Sequence, residues 1–337
     1  MIRVLGWDVG GANVKAAHLT VDGHVRSVRT ASRPFEIWRD KERLPDALRG
    51  LAADLPLADA IAVTMTAELS DAFRTKREGV AFVLEALGAV SPRPLSVFTT
   101  GGDFLAARAA CERPLDVAAS NWMATAMLVA RHAADAILLD VGSTTSDIIP
   151  IRAGRVVAEG RTDPERLLAG ELVYSGTLRT TVAAIVPSVP LRGRECPVAA
   201  EAFAVSGDVH LLLGSLSPDD YTCPTPDGRP ATPSFAAERL ARVVCADVEM
   251  LAHEEIVGIA AAVAHAQTRQ IASALSRVAA PFERPVDIIV TGQGAFLGHR
   301  AAAQCGLGSI ELSSLLGVDV STAAPAVAVA WLLAERG

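Results

Sequence analysis

Two aspartates, Asp8 and Asp140, each end an apolar segment and are followed by a polar turn that contains glycine. Glycine lets backbone N–H groups approach a ligand closely, so turns of this kind form anion-binding nests. A carboxylate beside such a nest can hold a hard divalent cation such as Mg²⁺ against phosphate oxygens. We therefore expect both aspartates to be catalytic and to bind the metal. Phosphate is expected at the turn residues Gly10, Gly11, Asn13, Gly142, Ser143, Thr144 and Thr145.

The two aspartates belong to a longer internal repeat. Each copy has an apolar strand, Asp-Val-Gly, a small polar turn, a second strand, a turn with glycine and a third strand. The steps Asp22-Gly23 and Ala153-Gly154 are hairpin signals. Asp140 follows Asp8 by 132 residues, a spacing too long for a solenoid but suited to two similar domains. A single Asp-Val-Gly segment can simply mark the end of a strand without binding a ligand. The second copy in a matching context argues against this simpler explanation.

Charged residues near these segments are further candidates. Lys15 leaves the first turn on the next strand and can add a positive charge beside phosphate. Glu68 lies just past the predicted buried strand 60–64, where an open sheet presents ligand groups. It is a candidate general base or cation ligand, or else an acid that favours a helix N-terminus. Lys76 lies in the charged stretch 71–77, which either binds a phosphorylated or carboxylated substrate or forms a solvated face.

Two other segments are candidates for substrate binding. Asn121 and Trp122 can line a pocket for an aromatic ring, although Ser120 or Asn121 can equally cap a helix. Glu171 and Tyr174 lie in a turn rich in glycine and hydroxyl groups, which either faces the site or is only a turn.

The composition excludes several classes of protein. The 337 residues include 31 basic and 38 acidic side chains, a net charge of −7, and half of them are hydrophobic, which rules out a disordered chain. No long Lys/Arg run is present, so neither nucleic acid nor an anionic membrane is an expected partner. The apolar stretches are too short for membrane spans and the start is no signal peptide, so we expect a cytoplasmic protein. Five scattered cysteines argue against disulfides and against a cysteine zinc site.

Hydrophobic periodicity predicts the elements that position these residues. Strands are expected near 3–8, 14–20, 24–30, 58–65 and 95–99, and helices near 40–54, 76–88, 103–111 and 120–133. A second hairpin set is expected near 136–161, a loop over 217–234, one or two helices over 236–279 and a last helix over 324–335. Asp208 and His210 would share one side of a strand, where they could bind a second metal, but would diverge on a helix. The expected domains are 1–134 and 135–320, the second with a helical and loop insertion near 165–280, and a closing helix in 321–337 that packs on the first.

The segments DVGGANVK at Asp8 and DVGSTTSD at Asp140 resemble the two phosphate-binding hairpins of the actin, sugar-kinase and Hsp70 superfamily. The segment 288–296, IIVTGQGAF, resembles the strand and turn that this superfamily places against a nucleoside, so Gly292, Gln293 and Gly294 would form a nucleotide-like turn. Within the superfamily the chain resembles the hydantoinase/oxoprolinase-like branch. Segments 64–80, 121–126 and 221–224 are similar to proteins linked to tetrahydromethanopterin one-carbon metabolism. Their archaeal relatives include the methanofuran-pathway enzyme that joins an aminomethyl-furan unit to gamma-glutamyl-tyramine.

The resemblance implies an α/β protein with two RNase-H-like domains of the actin/Hsp70 type and a cleft between them. It implies a transferase that condenses a furan-methyl phosphate or diphosphate with the phenol of gamma-glutamyl-tyramine. Glu68 would take the phenol proton, Lys76 would bind substrate, and Mg²⁺ would be the cofactor. The partners would be the phosphorylated furan and the phenolic amine, with a homo-oligomer left open.

Two alternatives stay open at this point. One is an ATP-dependent kinase or hydrolase with Glu68 or Asp147 as its base, and the other is a nucleotide-sensing binding module. Ala12-Asn13 replaces the Gly-Thr pair of many superfamily members, and the turn at Gly292 has fewer small residues than a typical adenosine clamp. Both departures argue against ATP as a ligand and leave phosphate binding in place.

Overall fold

The chain opens with three antiparallel strands, and its structure, a computed structural model, describes residues 1–23, 25–91 and 93–336. Strand β1 (Ile2–Val9) pairs with β2 (Asn13–Asp22), which pairs with β3 (Val25–Pro34). On the other side of β1 lie the parallel strands β4 (Ala60–Met65) and β5 (Leu95–Phe98), and then the antiparallel β6 (Phe104–Ala106). The sheet order is β3-β2-β1-β4-β5-β6.

Helices on this first sheet bury apolar faces against it. They are α1 (Ile37–Asp40), α2 (Leu44–Ala53), α3 (Lys76–Val90), α4 (Ala107–Glu112), α5 (Pro114–Val117) and α6 (Asn121–Val129), with short 3₁₀ turns at Lys41–Arg43 and Ala67–Leu69. In α2 the buried residues Leu44, Leu48 and Leu51 recur at helical spacing and join the core cluster that contains Trp7. This spacing explains why the segment folds as a helix rather than a strand.

A second sheet repeats the arrangement. Its strands are β7 (Ala136–Val141), β8 (Ser146–Arg152), β9 (Arg155–Val156), β10 (Leu172–Val173), β13 (Asp287–Thr291) and β14 (Ser309–Glu311), in the order β10-β8-β7-β13-β14 with β9 on β8. A separate hairpin joins β11 (Ser188–Leu191) to β12 (Arg194–Pro197). The remaining helices of the chain are α7 (Asp163–Ala169), α8 (Val182–Ile185), α9 (Ser206–Leu212), α10 (Pro233–Arg242), α11 (His253–Ala279), α12 (Ala295–Gln304), α13 (Leu312–Leu316), α14 (Val318–Thr322) and α15 (Ala324–Ala334).

The backbone confirms the internal repeat in detail. The Gly10 N–H donates to the Asn13 carbonyl at 2.9 Å, and 132 residues later the Gly142 N–H donates to the Thr145 carbonyl at 2.8 Å. Two sheets of related strand order, each with this closed turn after its first strand, confirm the expected α/β class with two RNase-H-like units.

The chain divides into two compact units that interleave in sequence. Unit 1 comprises residues 1–136, 149–168 and 312–337, and unit 2 comprises 137–148 and 169–311. The boundary drawn from the sequence places 149–168 with the second domain, whereas this segment groups with unit 1. The reason lies in its contacts, since the Ala153 N–H donates to the Asp135 carboxylate and the Gly154 N–H donates to the Ala134 carbonyl.

Two predicted elements differ from the structure. The segment 103–111, expected to be wholly helical, begins with strand β6 and becomes helical only at Ala107. The third strand of the second hairpin set ends at Val156 instead of continuing to 161. Gly160 lies against the start of α7, where a Cβ would come within 2.5 Å of the Arg166 nitrogen, so the chain turns there into the helix.

Other predictions hold. The Ala-rich stretch 236–279 is covered by the two helices α10 and α11, although α10 already begins at Pro233, and helix α15 covers the predicted closing segment. Among the described residues, no helix is long and apolar enough to cross a membrane.

Helix α15 packs directly on β1 at a glycine. Gly6 is buried, and a Cβ at this position would collide with the Ala326 carbonyl oxygen and lie 3.0 Å from the Ala330 Cβ. The buried, Ala-rich face of α15 can therefore approach the strand only where β1 has no side chain. This contact ties the C-terminal helix to the strand that ends at Asp8.

We expect Gly6→Ala to lower the free energy of unfolding by about 1–3 kcal/mol, because the added methyl forces α15 off β1. Chemical denaturation measures the change. Gly88→Ala is the matched control, since Gly88 is exposed on α3 with open space around it and alanine is the better helix former by about 1 kcal/mol. Equal effects of the two substitutions would contradict the packing explanation.

Candidate functional site

Asp8 is a buried carboxylate at the end of β1. Its Oδ1 atom accepts no hydrogen bond from the described residues, and the side chain is only 7% exposed. Burial raises the pKa of Asp8 to about 6, and the charge of Lys15, its partner across β1 and β2, partly opposes the rise. A buried oxygen without a hydrogen-bond donor is suited to a cation, so the predicted metal ligand fits its position.

The ends of β1 and β4 bring the first turn close to the segment that carries Glu68. Asp8 stands in register with Thr64, and the Thr66 N–H donates to the Val9 carbonyl at 2.9 Å. Thr66 Oγ1 also borders Gly10, at 3.6 Å from the position of a Cβ there. The parallel pairing thus places the start of the segment that carries Glu68 beside the first turn, as the sequence predicts.

Glu68 is the most unusual titratable group in unit 1. It is 1% exposed, and neither carboxylate oxygen has a hydrogen-bond partner of standard geometry among the described residues. Burial raises the pKa of Glu68 from 4.5 to about 7. The rise is opposed first by the charge of Lys76, whose Nζ lies 3.9 Å from Oε1, and then by the nearby backbone N–H groups of Glu68 and Ala119. A carboxyl group with a pKa near neutrality is matched to general acid–base work.

Helix α3 holds Lys76 in this position. Thr75 caps the helix by accepting a hydrogen bond from the Glu78 N–H, so Lys76 is its first residue. One turn later Gly79 lies against Glu68, where a Cβ would come within 2.5 Å of the Glu68 Cα. The missing side chain lets the helix start approach closely enough to bury the carboxylate.

Lys76 has a second, closer partner that the sequence did not suggest. Its Nζ lies 2.8 Å from Oδ2 of Asp163, the first residue of α7. Eighty-seven residues separate the two positions, so no local spacing signals the contact. Glu68, Lys76 and Asp163 therefore form a cluster with one positive charge between two carboxyl groups.

Trp122 lies at the start of α6 in the same unit. The indole Nε1 is buried and donates to no acceptor among the described residues, and the ring lies 4.2 Å from the guanidinium carbon of the buried Arg166. Asn121 accepts the Trp122 N–H, so its amide oxygen is used locally. Ser120 does not cap α6: its hydroxyl bonds Thr64 Oγ1 at 2.9 Å and donates to the Phe98 carbonyl.

In unit 2, residues 176–178 hold the second turn, residues 142–145, in place. The Thr177 N–H donates to the Gly142 carbonyl at 2.9 Å, and the Leu178 N–H donates to the Ser143 carbonyl at 3.0 Å. Gly176 lies against the turn, and a Cβ there would come within 2.5 Å of the Thr144 nitrogen. These contacts leave Ser143, Thr144 and Thr145 partly exposed in a fixed turn, as a phosphate-binding nest requires.

The predicted nucleotide-like turn lies against the same strand end. The Gly294 N–H donates to the Val141 carbonyl at 2.8 Å. Gly292 has a positive φ of 90°, and a side chain there would collide with Asp140 Oδ1 and the Val141 carbonyl. The side-chain amide of Gln293 donates to the Asp220 carbonyl, so it anchors the loop after α9 instead of pointing at a ligand.

Asp208 and His210 do not form the metal site that a strand would have given. Both lie on helix α9, where Asp208 pairs with the buried Arg239 at 2.6 Å and accepts the Tyr221 hydroxyl. His210 Nε2 lies 2.8 Å from Gln267 Oε1. Within the described ranges, no three His, Cys, Asp or Glu side chains gather as a metal-binding group.

The remaining substrate-binding candidates, Glu171 and Tyr174, lie in different environments. Glu171 is buried beside β8, where its carbonyl accepts the Ile148 N–H, whereas Tyr174 is 58% exposed. Gln267, which sequence reasoning missed, donates from its amide to Ser175 Oγ and to the Gly176 carbonyl. It therefore supports the segment that braces the second turn, and no spacing signal marks it because it lies within the long helix α11.

We expect Lys76→Met to raise the pKa of Glu68 further above 7, by about one unit, because the positive charge that opposes the rise is removed. A ¹³C NMR titration of glutamate carboxyl groups, with Glu68 assigned by substitution, measures the shift. Arg74→Met removes the same charge from an exposed site two residues earlier and should leave the value in place. A fall in the pKa with Lys76→Met would contradict the ion pair.

Comparisons with known proteins agree on the family. The sequence profile of the hydantoinase/oxoprolinase family matches residues 59–336. The (4-{4-[2-(gamma-L-glutamylamino)ethyl]phenoxymethyl}furan-2-yl)methanamine synthase of Methanocaldococcus jannaschii is 37% identical over 336 residues, which is 99% of this chain and 98% of that protein. A synthase of the same name from Methanococcus vannielii is 33% identical over 58% of this chain and 90% of its own length.

Among solved structures, nucleotide-free acetone carboxylase shares the fold. The TM-score is 0.54 at 11% identity, over 91% of this chain and 67% of that one. The family match covers most of the chain, including Glu68, Lys76, the second turn and the Gly292 turn. The chain belongs to the hydantoinase/oxoprolinase family.

Proposed function

We propose that this chain is a transferase of methanofuran-type cofactor biosynthesis. It joins an aminomethyl-furan-methyl phosphate or diphosphate to the phenol oxygen of gamma-glutamyl-tyramine and releases phosphate or diphosphate. The observation that carries the proposal is the end-to-end similarity to the synthase from Methanocaldococcus jannaschii, whose name describes this phenoxymethyl-furan product. The geometry of each unit supplies chemistry that such a condensation needs.

The reaction exchanges one C–O bond for another. The bond between the furan methylene and the leaving phosphate breaks, and the phosphate departs with the electron pair. The phenol oxygen forms the new bond to the methylene and loses its proton. An enzyme for this reaction has to accept that proton, stabilise the charge that develops on the leaving group and exclude water.

Unit 1 carries the proton acceptor in this proposal. Glu68 has two buried oxygens without hydrogen bonds and a pKa of about 7, so it can take a proton from a phenol that it contacts. The Trp122 indole, stacked on Arg166, offers an aromatic surface and an N–H in the same unit. An amphipathic phenolic substrate needs both kinds of contact.

Unit 2 carries the anion site in this proposal. The turn from Gly142 to Thr145 is fixed by Thr177, Leu178 and Gly176, so its N–H and hydroxyl groups are oriented before any ligand arrives. Donors fixed in advance stabilise developing negative charge without the cost of reorganisation. The same donors would serve a departing phosphate as well as a transferred phosphoryl group.

Mg²⁺ is the cofactor that these residues suit. Asp8 in unit 1 offers a buried oxygen without a hydrogen-bond donor, and Asp140 in unit 2 stands at the matching strand end beside the fixed turn. Each would act as a metal-binding carboxylate within its own unit. Bound Mg²⁺ would neutralise charge on the leaving phosphate oxygens.

The product assay tests the proposed function. Purified protein, furan-methyl phosphate or diphosphate, gamma-glutamyl-tyramine and Mg²⁺ should yield the aryl ether by mass spectrometry without ATP. Chelation by EDTA should abolish the product, and added Mg²⁺ should restore it, because the leaving group needs charge neutralisation. Asp8→Asn should slow formation at least about a hundredfold.

Asp22→Asn is the matched control, since Asp22 is an exposed aspartate at the far end of β2 and should leave the rate unchanged. A strict requirement for ATP, with the unphosphorylated furan alcohol accepted as substrate, would replace the transferase by the kinase. Tight ATP binding without any turnover would favour the nucleotide-sensing module.

Glu68→Gln should lower the rate by about 10²–10⁴-fold while making the protein more stable at pH 8. The wild-type carboxyl binds a proton more tightly when folded than when unfolded, so its contribution is complete below about pH 4.5 and is lost as the pH rises through about 7. Glutamine has no charge to bury, and the gain at pH 8 should be about 3 kcal/mol.

Denaturation at pH 4.5 and pH 8 measures the difference, which should disappear at the lower pH. Glu85→Gln, on the exposed side of α3, is the control and should change neither rate nor stability. A Glu68→Gln variant that turns over normally would remove Glu68 from the reaction.

A further inference from the structure

Asp163 is a charged residue of unit 1 for which the proposed reaction has no role so far. Its carboxylate lies 2.8 Å from Lys76 Nζ, while the carboxylate of Glu68 lies 3.9 Å from the same nitrogen. All three groups are well enclosed, with the side chains of Lys76 and Asp163 about one-fifth exposed and that of Glu68 fully buried. The lysine is therefore shared unequally, and its closer partner is the residue that is not a candidate base.

We propose that Asp163 is a positioning residue, which draws the Lys76 ammonium away from Glu68 so that Glu68 is not neutralised by a tight ion pair and remains able to accept the phenol proton. The inference rests on the proposed function, because it assigns a reason for the basicity of the group that the reaction uses. It adds a residue that acts on the reaction only through Glu68, by drawing Lys76 away and by its own negative charge.

The surroundings of Asp163 hold it in place independently of Lys76. Arg161 reaches the Thr100 carbonyl at 2.6 Å, and the Glu165 carboxylate accepts the N–H groups of Arg161 and Thr162. Arg166, one turn into α7, stacks on Trp122. The start of α7 is thus anchored on both sides of Asp163, so this carboxylate is a fixed point to which a flexible lysine is drawn.

The charged side chains next to Lys76 and Asp163 on these helices have partners elsewhere. On α3, Arg77 donates to the Cys111 carbonyl, and the Glu78 carboxylate accepts the Arg74 N–H. On α7, Glu165 is occupied by the backbone of the preceding turn. Lys76 and Asp163 are accordingly the charges that act on Glu68, the first lowering its pKa and the second raising it.

Removing the charge of Asp163 has a definite sign. Asp163→Asn ends the repulsion between two carboxylates and frees Lys76 to approach Glu68, and both changes favour ionised Glu68. The pKa of Glu68 should therefore fall by about one unit, the reverse of the change expected for Lys76→Met. A less basic carboxylate is a poorer proton acceptor, so kcat should fall by about three- to tenfold with little change in KM.

The test combines a pH profile of kcat/KM for ether formation with the ¹³C titration of Glu68 in the intact chain. The acid limb and the titration midpoint should both move about one unit lower in Asp163→Asn, and Asp163→Glu should return them towards the wild-type values. Glu85→Gln is the control, because it removes one negative charge from the exposed side of α3 and should move neither.

The outcomes separate the two proposals. If the wild-type protein forms no ether, the proposed function fails, and with it the role of Glu68 as base. If it forms the ether while the acid limb and the Glu68 titration stay in place in Asp163→Asn, the positioning role alone is overturned. Equal shifts in Asp163→Asn and Glu85→Gln would also overturn it, because the effect would then come from the net charge of the protein.

Discussion

The burial of Glu68 is the constraint on which much of unit 1 depends. An ionised carboxylate without hydrogen bonds is costly inside a protein, and here it is kept at the end of β4 by the close approach of Gly79 on α3. The lysine that offsets the charge begins the same helix, and the Thr75 cap fixes where that helix starts. The end of β4, the Thr75 cap and Gly79 therefore together determine the burial and the charge environment of Glu68.

The repeated turn shows a second constraint, which is that a glycine N–H must donate a hydrogen bond to the carbonyl of the residue three positions later. Both copies keep this hydrogen bond, at Gly10 and at Gly142, but their surroundings differ. In unit 1 the adjacent segment after β4 leads to a buried carboxyl group. In unit 2 the braces are neutral backbone and amide groups from Thr177, Leu178 and Gln267, which suit an anion. In the proposed reaction, the same backbone hydrogen bond would support proton transfer in one unit and phosphate binding in the other.

The sequence was sufficient for features that depend on local pattern. The hairpin repeat, the strand before Glu68, the helix that starts at Lys76 and the closing helix all follow from periodicity, turn residues and capping. Contacts between residues far apart in sequence were not available from it. Asp163 meets Lys76 across 87 positions, and Asp208 meets Arg239 across 31, so neither partner is marked by spacing. Asp208 and His210 looked like metal ligands only because a short apolar stretch fits a strand as well as a helix.

Two buried carboxylates, Asp208 and Glu68, differ in the number of groups that contact them. Asp208 accepts hydrogen bonds from Arg239, Tyr221 and the Val205 N–H, so its charge is satisfied and it serves to hold helices α9 and α10 together. Glu68 is as deeply buried but has one distant lysine, and that lysine prefers Asp163. A buried carboxylate whose partners are all present is typical of a structural role, whereas one with incomplete pairing and a shifted pKa is a candidate for function. Burial alone would not separate the two, and it is the incomplete pairing of Glu68 that makes it the proposed proton acceptor.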